Sequence, residues 1–233
     1  MQSRGFIIGA VFKHLVEAGI CEKKFFEEFE ELFGGFRQGR FDYTTGAVSA
    51  VPVFGKALAG KNCSEMEFET TKFLQNYLQQ AVFPFSKELV GILCSEKNGG
   101  KGLVLLLSGS PDFSILHAAR FLGASGFVAT EYEERQGVFT GGVVQNLVTP
   151  GTKTRLLKQK ISDLEKEFVV ERGLAGGDSE EDMKMALEND LMPVAFGPRL
   201  KDFAEQKGFV HVPTVGGASA KQIISKIHRL AGA

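Results

Sequence analysis

Gly176-Gly177-Asp178-Ser179-Glu180-Glu181-Asp182 reads as a turn where a strand hands over to a helix. About seventy residues earlier Val104-Leu105-Leu106-Leu107-Ser108-Gly109-Ser110 reads as another. In an open α/β sheet such turns line the carboxyl ends of the strands, where ligands bind. The first turn offers two carboxylates, Asp178 and Asp182, one helical turn apart, which suit a hard cation. The second offers a hydroxyl and backbone amides, which suit an anion. Together they suggest a phosphate and a Mg²⁺ ion.

Each turn also has a purely structural reading. Ser179 followed by Asp182 three residues later is a capping-box pattern, and Glu180 and Glu181 favour the positive end of a helix dipole. Gly176-Gly177 tips the balance toward a ligand, because glycine lets the backbone turn sharply beside one. At the other turn Pro111 and Asp112 are ordinary helix-start signals. There Gly109 permits close approach, so that Ser108 and the amides of Gly109 and Ser110 could bind a phosphoryl oxygen. Lys153, after Pro150-Gly151, stands at the predicted start of a helix carrying Leu156, Leu157 and Ile161. A cation is mildly disfavoured there by the dipole, which leaves it either a solvated lysine or a charge partner for phosphate and carboxylate.

Working outward, short apolar strands alternate with amphipathic helices from Lys101 onward. The strands are expected at Leu103 to Leu107, Gly126 to Thr130, Phe168 to Val170 continuing toward Ala175, Met192 to Phe196, and Phe209 to Val212. Such alternation predicts an α/β fold with a Rossmann-like parallel sheet and helices on its faces. Glu131 to Arg135 and Val138 to Val144, flanking Gln136-Gly137, predict a small antiparallel hairpin attached to the sheet. Residues 1–96 read as helices: one ends at Gly19, a stripe of Phe25, Phe26, Phe29, Leu32 and Phe33 is stopped at Gly34-Gly35, and a long pattern from Met66 to Val82 runs toward Pro84. The expected division is a helical region over 1–96 and an α/β core over 97–233.

With 233 residues and a net charge of −1, the chain can bury a substantial core, and it has no basic stripe to favour nucleic acid. Cys21, Cys63 and Cys94 are far apart and odd in number, which argues against a zinc site or a disulfide framework and for a reducing, cytoplasmic setting. The N-terminal apolar run is interrupted by Lys13, His14 and Glu17, so a membrane span is not expected.

In this order the residues resemble the haloacid dehalogenase superfamily, most closely its phosphoserine-phosphatase-like branch. Val104 to Gly109 looks like the family's second motif, Lys153 like its lysine motif, and Gly177-Asp178-Ser179-Glu180-Glu181-Asp182 like its fourth, Gly-Asp-Ser-x-x-Asp. The hairpin after Thr130 is similar to a segment the branch carries there, and the helical first part looks like its cap domain. The resemblance implies a phosphatase hydrolysing a small phosphomonoester with Mg²⁺. Ser108, Gly109 and Ser110 would bind the phosphoryl oxygens, Lys153 would balance charge, Asp178 would bind the metal, and Asp182 would orient Lys153 or a metal-bound water.

The departure from the family is at its first motif, an apolar strand ending in Asp-x-Asp, whose first Asp attacks phosphorus. Met1-Gln2-Ser3-Arg4-Gly5-Phe6 resembles the stretch just beyond that motif. Asp42 in Phe41-Asp42-Tyr43-Thr44-Thr45 lacks the second Asp and reads as a turn. The nucleophile and the central strand that bears it are therefore expected to be missing, as in a truncated phosphatase. The alternative is a non-catalytic protein that keeps the fold to bind phosphate or a protein. His117 and His211 read as helix and strand residues without a catalytic partner, and Arg37 and Arg40 as cap residues that either anchor substrate or are solvated.

Overall fold

A computed structural model describes residues 7–95, 102–166, 173–213 and 219–231. In chain order the elements are α1 (Ile7–Glu17), α2 (Lys23–Arg37), α3 (Tyr43–Leu58), α4 (Cys63–Ala81), α5 (Pro84–Cys94), β1 (Leu105–Pro111), α6 (Asp112–Leu122), β2 (Gly126–Arg135), β3 (Val138–Gln145) and α7 (Thr152–Glu165). They continue with β4 (Leu174–Gly177), α8 (Glu180–Glu188), β5 (Met192–Phe196), a short 3₁₀ turn at Pro198–Leu200, α9 (Lys201–Lys207), β6 (Val210–Val212) and α10 (Ala220–Ala231). The expected strand start at Phe168 to Val170 and the opening Met1 to Phe6 lie outside the described residues. Among the described residues no helix is long and apolar enough to cross a membrane.

The chain divides into two compact units, Gln2–Phe83 with Cys94–Pro150, and Pro84–Leu93 with Gly151–Ala233. The expected alternation of strands and helices is present, and among the described residues the strands pair as two three-stranded sheets, one in each unit. The units also cut across the division at residue 96: α1 to α4 share a unit with β1, β2 and β3, and most of α5 joins the other.

In the first unit β1 runs parallel to β2, from Leu105 opposite Gly126 to Ser108 opposite Ala129. Beyond Thr130, β2 continues as the first arm of the hairpin, antiparallel to β3. Gln136 and Gly137 both take left-handed φ values, 53° and 76°, the backbone that a two-residue turn needs to match strand twist. The core is aromatic. Phe12 is fully buried, with its ring against the rings of Phe26, Phe29 and Phe54 at centroid distances of 5.3, 5.4 and 4.8 Å. Tyr132 of β2 joins it, edge-on to Phe54 at 5.5 Å, and its hydroxyl donates to the Val51 carbonyl at 3.3 Å. Helices and sheet thus share one core, because an aromatic with a polar tip is buried only when that tip finds an acceptor.

Two local expectations are resolved here. The stripe in α2 does not stop at Gly34-Gly35; the helix runs on to Arg37. Gly35 serves packing instead, since a side chain there would collide with the Phe41 ring. His117 of α6 meets Thr71 of α4 at 2.7 Å, and the Thr71 hydroxyl already donates its one proton to the Glu67 carbonyl at 2.6 Å. His117 therefore donates from Nε2. Burial and the neighbouring Arg120 hold its pKa below the usual histidine value. This is a helix-packing role.

In the second unit β4, β5 and β6 are all parallel, with Leu174 opposite Met192, Gly177 opposite Ala195, and Val194 to Phe196 opposite Val210 to Val212. Pro193 to Phe196 are buried, as expected of a strand covered on both faces. Phe85 of α5 stacks on Phe196 at 6.5 Å, and Met183, Ala195, Leu200 and Ala204 form a small core.

Candidate functional site

The acidic turn is built as the sequence predicts at backbone level. Strand β4 ends at Gly177, Asp178 and Ser179 follow, and α8 begins at Glu180. Ser179 is the N-cap: its Oγ accepts from the Asp182 amide at 3.1 Å and donates to Asp182 Oδ2 at 2.7 Å. Half of the capping box is thus realised: the cap hydroxyl takes the third-position amide, while the Asp182 carboxylate accepts from that hydroxyl rather than from the Ser179 backbone N–H. The other carboxylate oxygen, Oδ1, receives the Lys153 ammonium at 2.8 Å. The structure therefore brings Lys153 and Asp182, 29 residues apart, into one ion pair.

The pair is sheltered but not sealed, with side-chain exposures of 21% for Lys153 and 13% for Asp182. A charge-assisted bond in such a place is stronger than a surface pair, and it leaves Lys153 with two further N–H donors. Glycine makes the geometry possible: a Cβ on Gly177 would overlap the Asp182 carboxylate, and one on Gly176 would overlap the Phe196 ring. The glycine pair is therefore explained by side chains of the fold itself. Asp178 is exposed and makes no hydrogen bond or ion pair with the described residues. Of the two acids, then, one is engaged at both oxygens and the other is free to take a ligand.

Ser108, Gly109 and Ser110 lie in the other unit and, contrary to the expected turn after Leu107, belong to β1 itself, which runs to Pro111 with its pairing to β2 shifted in register between Ser108 and Pro111. Ser108 Oγ accepts from the Ser110 amide at 3.2 Å, so its own proton remains free to donate to an anion. Ser110 is buried, and its hydroxyl accepts from the Ile8 amide at 3.3 Å, which ties the start of α1 to the end of β1. Both hydroxyls at this end of β1 therefore accept from a backbone amide, and each keeps its own proton to donate. Gly109 is small for a local reason, since a Cβ there would strike Val148 Cγ1. Gly109→Ala is expected to cost about 1–3 kcal/mol in urea unfolding, and Val148→Ala in the same chain should recover most of that loss. Equal losses in the single and double variants would show that Val148 is not the obstacle.

Asp42, the one acid near the N-terminus with a family-like context, is a helix cap. Its carboxylate accepts from the Thr45 amide at 2.8 Å and from the Thr45 hydroxyl at 3.2 Å, and the backbone bond to Thr45 lowers its pKa. Arg37 lies on the exposed side of α2, 3.9 Å from Glu30.

No family model and no curated protein matches the chain. Solved structures do. A protein of unknown function from Bordetella pertussis Tohama I is 19% identical with a TM-score of 0.68, covering 89% of this chain and 91% of that one. A substrate-bound phosphoserine phosphatase complex is 19% identical with a TM-score of 0.59, covering 95% of this chain and 90% of that one.

The fold is that of the phosphoserine-phosphatase-like branch of the haloacid dehalogenase superfamily.

A probable phosphoserine phosphatase from Vibrio cholerae has the same fold, at 20% identity and a TM-score of 0.63, with 97% of this chain covered and 61% of that one. A cytosolic 5′-nucleotidase IIIB bound to cytidine does so at 16% identity and a TM-score of 0.60, covering 91% of this chain and 74% of that one. On this haloacid-dehalogenase-type fold the last residues of β1 and the turn after β4 carry the two segments from which the sequence reading started. What sequence reasoning missed is Asn189, seven residues after Asp182 and so two turns along the same face of α8. Only the packing of α7 against α8 gives that spacing a meaning.

Proposed function

We propose that the chain is a phosphatase-type protein of the haloacid dehalogenase superfamily that handles a small phosphomonoester with Mg²⁺. The observation that carries this reading is the Lys153–Asp182–Ser179 array beside a free Asp178. On this reading the Ser108 hydroxyl is a phosphoryl-binding donor, and Lys153, in the other unit, is a cation suited to balance phosphoryl charge. Asp182 orients Lys153, and Asp178 supplies a carboxylate for the metal. The helices before residue 96 act as the cap.

Among the described residues no three His, Cys, Asp or Glu side chains are grouped to hold a metal. Mg²⁺ keeps several waters and is commonly held by one or two carboxylates together with substrate phosphate. Asp178 fits as such a ligand, whereas both oxygens of Asp182 are already taken. When bound, the ion would neutralise charge on the phosphoryl group. Metal and phosphate should then bind cooperatively, and by linkage each should tighten the other by the same factor.

A second reading, a phosphate-binding protein without turnover, is favoured by one observation. Asp42 has its carboxylate occupied as a helix cap. Titration calorimetry with orthophosphate, with and without Mg²⁺, run beside hydrolysis of an aryl phosphate, tests both. Mg²⁺-dependent binding that is lost in Asp178→Asn is the expected result. Turnover abolished by EDTA and by Asp178→Asn favours the phosphatase, and binding without turnover favours the second reading. No orthophosphate binding under any condition would overturn both.

A further inference from the structure

Asn189 is the C-cap of α8, and its amide nitrogen donates in two directions: to the Met185 carbonyl one turn back at 2.9 Å, and to the Thr154 carbonyl of α7 at 3.4 Å. Two carbonyl acceptors on the same side fix the amide orientation, because a flipped Asn would set its oxygen against both. Its Oδ1 is buried and makes no hydrogen bond with the described residues. A buried acceptor left without a donor is destabilising, so a residue that only capped α8 would be better replaced. The contact that distinguishes Asn189 from an ordinary cap is the one to α7. Thr154 immediately follows Lys153 in the first turn of α7, and Asp182 lies on α8 two turns before Asn189.

We propose that Asn189 is a positioning residue: by holding the first turn of α7 against the C-terminal end of α8, it keeps the Lys153 ammonium on Asp182. Helix α8 then grips the lysine at two levels. Ser179 fixes the Asp182 carboxylate from the N-cap, and Asn189 fixes the backbone from which Lys153 extends. Loss of the amide lets the first turn of α7 shift, and a long flexible side chain needs little displacement to leave a 2.8 Å bond. The functional importance of the residue rests on the phosphatase reading of Lys153; its geometric role does not.

The test is site-resolved lysine reactivity, measured by mass spectrometry after limiting acetic anhydride, on the full chain and on Asn189→Leu, Asn189→Ala and Asn189→Gln. An amine engaged with a carboxylate is acylated slowly, and Lys158 and Lys160 on the same helix are internal references. The expected result is that Lys153 becomes several-fold more reactive in the Leu and Ala variants while Lys158 and Lys160 do not change. Asn189→Gln, which keeps an amide donor, should restore part of the protection, and Asp182→Asn gives the upper limit. Unchanged Lys153 reactivity in Asn189→Ala overturns the proposal. So does an equal rise at all three lysines, which marks general loosening of α7. Because no ligand or turnover is needed, this result stands apart from the success or failure of the phosphatase reading.

Discussion

Asp182→Ala is expected to destabilise the chain by about 2–3 kcal/mol and to abolish Mg²⁺-dependent orthophosphate binding. The substitution removes the acceptor of the Lys153 ammonium and of the Ser179 hydroxyl at once. It leaves a cation with only 21% of its side chain exposed and no counter-charge. Breaking a buried pair from one side costs about 3–5 kcal/mol, and the residual exposure at this site lowers that figure. The measurement is the urea midpoint at constant slope, since the change acts on the native state. Replacing both partners, as in Lys153→Met with Asp182→Leu, should recover much of the stability, because neither charge is then stranded. It should recover none of the binding. Recovery of stability without binding separates the structural share of the pair from its chemical one. A double variant no more stable than Asp182→Ala would mean that the ion pair contributes little.

Phe12→Ala should cost more, about 4 kcal/mol, the range for an aromatic removed from a closed core. Phe12 has no exposed surface and touches three other rings, two on α2 and one on α3. The cavity is walled by rigid side chains from several helices, so it cannot collapse without moving them. Phe68 is the control: it is 66% exposed on α4, and Phe68→Ala should shift stability by less than about 0.5 kcal/mol. If the two variants had similar effects, the buried aromatic cluster would not be the centre of the first unit.

Most of the element pattern was legible in the chain. The strands at Gly126, Met192 and Phe209, the Gln136-Gly137 turn and the capping role of Ser179 all follow from period, β-branched content and turn chemistry, which are local. The α2 stop at Gly34-Gly35 was misjudged. A glycine pair inside a helix costs only about 1 kcal/mol per residue, less than the close packing of Phe41 on Gly35 returns. The donors and acceptors of the site were legible as residue types, and their occupancy was not. Ser110 and Ser108 look equivalent in sequence, yet the first is buried against the start of α1 and the second is only half-buried.

The sequence by itself determined the order of strands and helices, the two segments that carry hydroxyl and carboxylates, and a resemblance strong enough to anticipate the fold. Each of these depends on residues within a few positions of one another. Only the tertiary structure decided that Lys153 meets Asp182, that Asn189 reaches the backbone of Thr154, and that the described strands pair as two sheets. It also showed that the glycines at 109 and 176 answer to Val148 and Phe196. These are contacts between segments distant in the chain, set by how apolar faces pack. A local pattern fixes which face a side chain occupies and leaves open what that face will meet.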